Sequence, residues 1–250
     1  MNPPRATRRA AARPGAGRDV ARAHPRGAVS EAEGKTAQVT TLNEEAYRRL
    51  EEMIVTLALE PGSVVSEAML SERLGIGTTP IREALQRLAR EYLVQILPRR
   101  GVVITAIDVR MQLQVLETRR ELDRLIARCA ARRASEAERQ AIGALAGEMA
   151  KTARDGDMQG FLRLDGEMNR RASRAARNEI AANAVAALHA VSRRFWFYHQ
   201  ADSALAAETL KRHSDLAAAI AGGDEACAVA ASDDLIDHLL AFARSTLPDI

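Results

Sequence analysis

The 250-residue sequence predicts a mainly α-helical protein in two unequal parts: three short helices and a hairpin, then an antiparallel bundle of about six helices. Apolar residues make up 47% of the chain but aromatics only 3%, and alanine and leucine dominate. Such a composition suits closely packed helices better than sheets, which favour β-branched and aromatic side chains. Helical spacing with capping signals recurs from Leu42 onward, whereas β-prone residues gather only in one short stretch, 93–105.

In the first part, Leu42, Ala46, Leu50, Met53 and Leu57 recur at helical spacing, and Pro61 and Gly62 end that segment. Ser66 is placed to cap a second helix through Leu74, with Gly75 to terminate it. Thr79 before Pro80 predicts a third helix to about Glu91, with the hydroxyl as N-cap and proline at the first helical position. Leu93 to Leu97 and Val102 to Thr105 then read as a hairpin, its tip built from Pro98, Arg99, Arg100 and Gly101. This order of elements is that of a winged helix-turn-helix, spanning 42–106.

From 107 to 245 the pattern is helical throughout. Asp108 caps a helix to about Arg133, and Ser135 with Glu138 forms a capping box for the next. Asp157, Asn178, the stretch near Ser203, and Asp224 begin four more. Ahead of all this, residues 1–41 carry eight Arg/Lys against three acids and are interrupted by prolines and glycines, which predicts a disordered basic arm.

The formal charge is only +3, so basic character is local. A second basic cluster comprises Arg82, Arg87, Arg90, Arg99 and Arg100, which points to an anionic partner met at defined places. Cys129 and Cys227 have neither metal nor disulfide spacing and read as small core residues in a reducing, cytoplasmic compartment. No apolar run reaches the ~18 residues of a membrane span, and no secretory signal is expected. There is no nucleophile–base pair, Gly-rich phosphate loop or paired carboxylate motif, so the reading is not an enzyme.

The stretch 71–94, SERLGIGTTPIREALQRLAREYLV, has a physical logic for double-stranded DNA. One short helix braces the backbone while the next presents its first turn to the major groove. Thr78 and Thr79 lie at the positive end of the helix dipole, and Arg82 lies one turn in, within reach of guanine or phosphate. Ile81, Ala84, Leu85 and Leu88 supply the inward stripe.

This segment closely resembles the DNA-binding domain of the GntR family of bacterial regulators, over about Ala46 to Thr105. The landmarks are LEPGS from Leu59, Ser66 with Glu67, LGI from Leu74, TPIREAL from Thr79 and PRRGV from Pro98. The resemblance implies DNA contacts from Thr79, Arg82, Arg99, Arg100 and Gly101, and Thr78 and Arg87 are added from the basic, polar character of the same helix. The family usually carries Ser-Arg before this Thr-Pro, whereas Gly77 and Thr78 stand here. A typical DNA-contacting arginine is thus missing, and a different operator sequence is implied.

The second part resembles the C-terminal domain of the FadR subfamily, the FCD type, over roughly Asp108 to Phe242. Its marks are VLETRRELD from Val115, Asp165 with Asn169, Asn178, and the run from His213 through Leu216, Ala219 and Ile220 to Gly223 and Asp224. The resemblance implies a polar cavity for a small metabolite, often a carboxylate, formed here by Arg119, Asp165, Asn169 and His213, with Arg193 or Arg194 expected to assist. It also implies a divalent metal (Zn, Ni or Mn) held by Asp165, His213 and His238. Asn169 stands where the pattern has its first histidine, and the last falls at about Leu235, three residues before His238; lost imidazoles weaken such a site. The alternative is that these residues form a hydrogen-bonded polar network. Arg119 needs an anion, which is either an effector or a neighbouring acid, Asp123 or Glu117. Phe195 to Tyr198 hold half of the chain's aromatics and are expected in core or dimer packing, with cavity lining as the alternative.

The expected function is that of a homodimeric repressor on a palindromic operator, controlled by a small metabolite. The alternatives are a constitutive DNA-binding regulator with a vestigial pocket and, from another class, a metal-dependent enzyme.

Overall fold

The computed structural model describes residues 41–199 and 203–247. The basic arm expected over 1–41 lies outside the described residues, apart from Thr41. That residue is the N-cap of helix α1 (Leu42–Val55), its hydroxyl accepting from the Glu44 amide at 3.3 Å, and Glu44 and Glu45 follow in the first turn, where the dipole favours acids. The buried stripe is Ala46, Tyr47, Leu50, Ile54 and Val55, while Leu42 is 60% exposed. The expected stripe is therefore rotated toward Tyr47, whose hydroxyl donates to buried Glu91 at 2.8 Å.

Helix α2 (Glu67–Leu74) begins at the Ser66 cap and ends at Gly75, whose φ of 65° is left-handed, both as expected. Helix α3 spans Thr78–Arg90. Its N-cap is Gly77 and no side chain caps it, so Thr79 lies inside the first turn instead of preceding it. A three-stranded antiparallel sheet follows the order β1 (Val64–Val65), β3 (Gly101–Ile104), β2 (Val94–Leu97). Strand β1 was not expected: two residues are too few for alternation to register, and Val64 and Val65 become a strand only by pairing with Val103 and Val102. Leu50, Leu70, Ile81, Leu88, Leu93 and Ile104 are all essentially inaccessible and weld α1 to α3 and the sheet into one core. Each such burial stabilises by roughly 1.5–3 kcal/mol.

The second part comprises α4 (Val109–Arg133), α5 (Glu136–Asp155), α6 (Met158–Ala175), α7 (Glu179–His199), α8 (Ser203–Gly222) and α9 (Glu225–Ser245). Asp108, Ser135 with Glu138, Asp157, Asn178 and Asp224 all accept from first-turn amides as their positions predict. Helix α4 packs against α7 and α9, and α5 against α8 and α6. Alanines such as Ala127, Ala130, Ala217 and Ala243 are fully buried along these seams, which lets the helices approach closely. Cys129 is buried as expected, but Cys227 is exposed, one turn into α9 on its outer face. Among the described residues no helix is long and apolar enough to cross a membrane.

Candidate functional site

On α3 the inward stripe Ile81, Ala84, Leu85 and Leu88 is buried, and the opposite side carries exposed Thr78, Thr79 and Arg82. With Gly77 as N-cap, the first-turn amides meet no capping side chain, so the positive helix end faces outward. Arg82 remains 58% exposed while its Nε and Nη2 fork onto Glu67 at 2.7–3.0 Å. That fork aims the guanidinium without burying it, and it raises the Arg82 pKa and lowers that of Glu67.

Arg87, expected at the DNA surface, is turned away from it. A helix advances 3.6 residues per turn, so Arg87 lies about 140° round from Arg82. Its guanidinium stacks 3.5 Å from the Tyr47 ring centroid and bonds Glu91 and Glu44, both at 3.1 Å. Arg87 therefore braces α3 against α1.

At the hairpin tip the Arg100 amide bonds the Leu97 carbonyl at 3.1 Å, closing a turn with Pro98 second and Arg99 third. Arg99 has a φ of 63°, the positive value that a type II turn carries at its third residue, and Arg99 and Arg100 are both exposed. Gly101 plays a backbone part: its φ is 97°, and a Cβ there would meet the Val65 carbonyl oxygen at 2.8 Å. Glycine lets β1 approach β3.

In the helical part, Arg119, Asp165, Asn169 and His213 do converge on one small pocket, with His189, Ser192, Arg193 and Trp196 of α7 completing it. The Arg119 Nε donates to Asp123 at 2.9 Å, and His189 Nε2 lies 2.7 Å from the other Asp123 oxygen. Burial pushes the Asp123 carboxyl up, but Arg119 and His189 outweigh it and bring it down to about 2. Arg119 thus already has its anion. The Asn169 amide donates to Asp165 at 3.1 Å, and Asp165 lies 3.6 Å from His213 Nε2. The pocket measures about 20 Å³, room for a single water.

Two expected members stand elsewhere. Arg194 points to the other side of α7, where it donates to the Thr105 hydroxyl at 3.0 Å and to the Thr105 carbonyl. Burial without a carboxylate pushes its pKa down to about 10. Its neighbour Arg193 faces the pocket instead, because successive helical residues diverge by about 100°. His238 Nε2 bonds Thr209 Oγ1 at 2.8 Å, and burial lowers its pKa. The residues do not fit a divalent ion: among the described residues no three His, Cys, Asp or Glu side chains gather to hold one, and buried Leu235 occupies the position of the last histidine. His189 and Ser192 are the α7 pocket residues not expected from the sequence, although with Arg193 and Trp196 they recur at helical spacing on one face of a mostly apolar helix.

Comparison with known proteins fits both parts. Residues 42–104 match the family described as "Bacterial regulatory proteins, gntR family", and residues 114–238, half of the chain, match the FCD domain. The chain belongs to the GntR family, with an FCD domain. Its family is one of regulators and not of enzymes. Similar proteins include an "Uncharacterized HTH-type transcriptional regulator in unstable DNA locus" of Streptomyces ambofaciens, 40% identical over 68 residues, which are 27% of this chain and 29% of that protein. The HTH-type transcriptional repressor RspR of Escherichia coli is 32% identical over 97 residues, 39% of this chain and 42% of RspR. These matches thus span less than half the length of the curated relatives. Among solved structures, E. coli McbR/YncC superposes with a TM-score of 0.71 at 18% identity, covering 82% of this chain and 98% of that one. The "putative transcriptional regulator GntR from Rhodococcus sp. RHA1" gives 0.63 at 14%, covering 82% and 98%. At such identities the likeness concerns the fold. Within the GntR frame, Gly77 takes the N-cap of α3 where the family's usual serine would bring a hydroxyl, which explains the bare helix end.

Proposed function

We propose that this GntR-family protein is a sequence-specific DNA-binding repressor that acts as a dimer on a palindromic operator under the control of a small organic anion. The observation that carries the DNA reading is the uncapped, outward-facing start of α3, with Thr78, Thr79 and Arg82 exposed on a fully packed three-helix core. Amides and a dipole at a helix end favour phosphate, and a forked arginine one turn in suits guanine. Exposed Arg99 and Arg100 at the wing supply backbone contacts beside it. Two-fold symmetry of a dimer would be mirrored in the operator, and repression is the sign that the likeness to RspR supports.

Selection from a random duplex pool tests this reading. The expected product is an inverted repeat, bound with a preference that Arg82→Ala relaxes at one position of each half-site. Retention of random DNA as well as any selected sequence would refute it.

A second reading, a constitutive DNA-binding protein, is favoured by the small size of the core pocket and by the capture of Arg119 by Asp123. It predicts DNA affinity indifferent to every small molecule.

A further inference from the structure

The core pocket is too small for a metabolite, yet a cleft of about 530 Å³ opens nearby between α1, α6 and α7. Metabolite sites occupy roughly 300–1,000 Å³, and this cleft has that size with walls from both parts of the protein. We propose that it is a binding site for a small organic anion bearing at least two acidic groups, carboxylate or phosphate.

Five guanidinium groups line the cleft: Arg48 and Arg49 from α1, Arg163 and Arg170 from α6, and Arg193 from α7, opposed by three glutamates. Arg48 is exposed and makes no hydrogen bond or ion pair among the described residues. Arg163 holds Glu52 only at 3.8 Å, with both side chains about half exposed. Arg193, its side chain 13% exposed, is paired with Glu51, but its Nε has no hydrogen-bond partner. Arg49, Arg170 and Arg193 are each held by a partner, which leaves Arg48 and Arg163 as the loosely held cationic forks, on facing walls, to match the planar oxygens of carboxylate and phosphate. Buried Val55 and Leu162 give the floor an apolar patch for a carbon skeleton.

The position gives the site its consequence. One wall, α1, is packed on the DNA-reading helix, and the other belongs to the helical part. Arg48, Glu51, Arg170 and Arg193 also line a second cleft of about 280 Å³ on the far side, so these four side chains are a partition between two cavities. Gly166 leaves room for it, since a Cβ there would collide with the Arg193 guanidinium. An anion that engages Arg48 and Arg163 changes the balance of charge across this partition and with it the seat of α1 on α7. DNA and anion must then affect one another's binding reciprocally. This last consequence rests on the regulator reading above; the binding itself does not.

The test uses the full chain with citrate and pyrophosphate as probes, by calorimetric titration at constant ionic strength. Saturable binding of at least one probe is expected, and which one binds tells carboxylate from phosphate. The double variant Arg48→Ala, Arg163→Ala, both at exposed positions that leave the core intact, should weaken it by about tenfold or more. His213→Gln, which alters only the core pocket, and Arg82→Ala with Arg99→Ala on the DNA face should leave it unchanged. Absence of saturable binding, equal binding by the cleft variant, or loss with His213→Gln or the DNA-face pair would each overturn the proposal. DNA selection that succeeds while these titrations fail removes the anion site and leaves the regulator standing.

Discussion

Arg99 is one of four non-glycine residues with positive φ among the described residues, and it occupies the exposed tip of the wing. A side chain in that region is disfavoured by about 1 kcal/mol relative to glycine, and such strain persists where a side chain has a use. Arg99→Gly is therefore expected to keep or slightly raise the thermal midpoint while lowering DNA affinity, checked by a melt and by fluorescence anisotropy at fixed salt. A loss of stability without loss of affinity would make Arg99 a turn residue only. The arginine-tipped wing was legible from the PRRGV segment alone, because a turn's chemistry is written in adjacent residues. The fate of Arg87 was not, since its partners Tyr47 and Glu44 lie some forty positions away in sequence.

At the scale of elements, α7 joins the two parts. Arg193 pairs with Glu51 of α1, their side chains only 13% and 12% exposed, and Arg194 grips Thr105 just past β3. Removing one member of a buried ion pair strands the other charge, so Glu51→Gln should destabilise the protein by about 3 kcal/mol. Replacing both residues by methionine should restore most of that loss; urea unfolding midpoints measure both. An equal loss in the single and double variants would mean that shape at this junction matters more than charge. Adjacent arginines in the sequence gave no hint of opposite duties, so Arg193 and Arg194 stood as alternatives for the pocket that Arg193 lines. Helix caps were a different matter. Asp108, Ser135, Asp157, Asn178 and Asp224 were all readable, because a cap and the amides it serves lie within three residues.

For the molecule as a whole, the Arg119–Asp123–His189 cluster ties stability to pH. The native Asp123 carboxyl titrates at about 2, below its ordinary 3.8. Its contribution, about 2 kcal/mol, is complete above the unfolded value and is lost as pH falls from near 4 toward 2. Asp123→Asn should therefore flatten the decline in unfolding free energy over that range while lowering stability at neutral pH, as denaturant titrations at several pH values would show. An unchanged acid slope would assign acid sensitivity to other carboxylates.

The helix count, the caps apart from that of α3, the inward stripe of α3 and the likeness to GntR regulators were all determined by short runs of residues, within which backbone and side chain act on their near neighbours. Only the tertiary structure decided that β1 exists, that Arg87 braces instead of reading, that His238 bonds Thr209, and that the roomy cleft lies between the two parts and not within the bundle. Each of these depends on which distant surfaces meet. Contact between helices is set by packing of whole faces, and that information is spread over the chain instead of being held in any one motif.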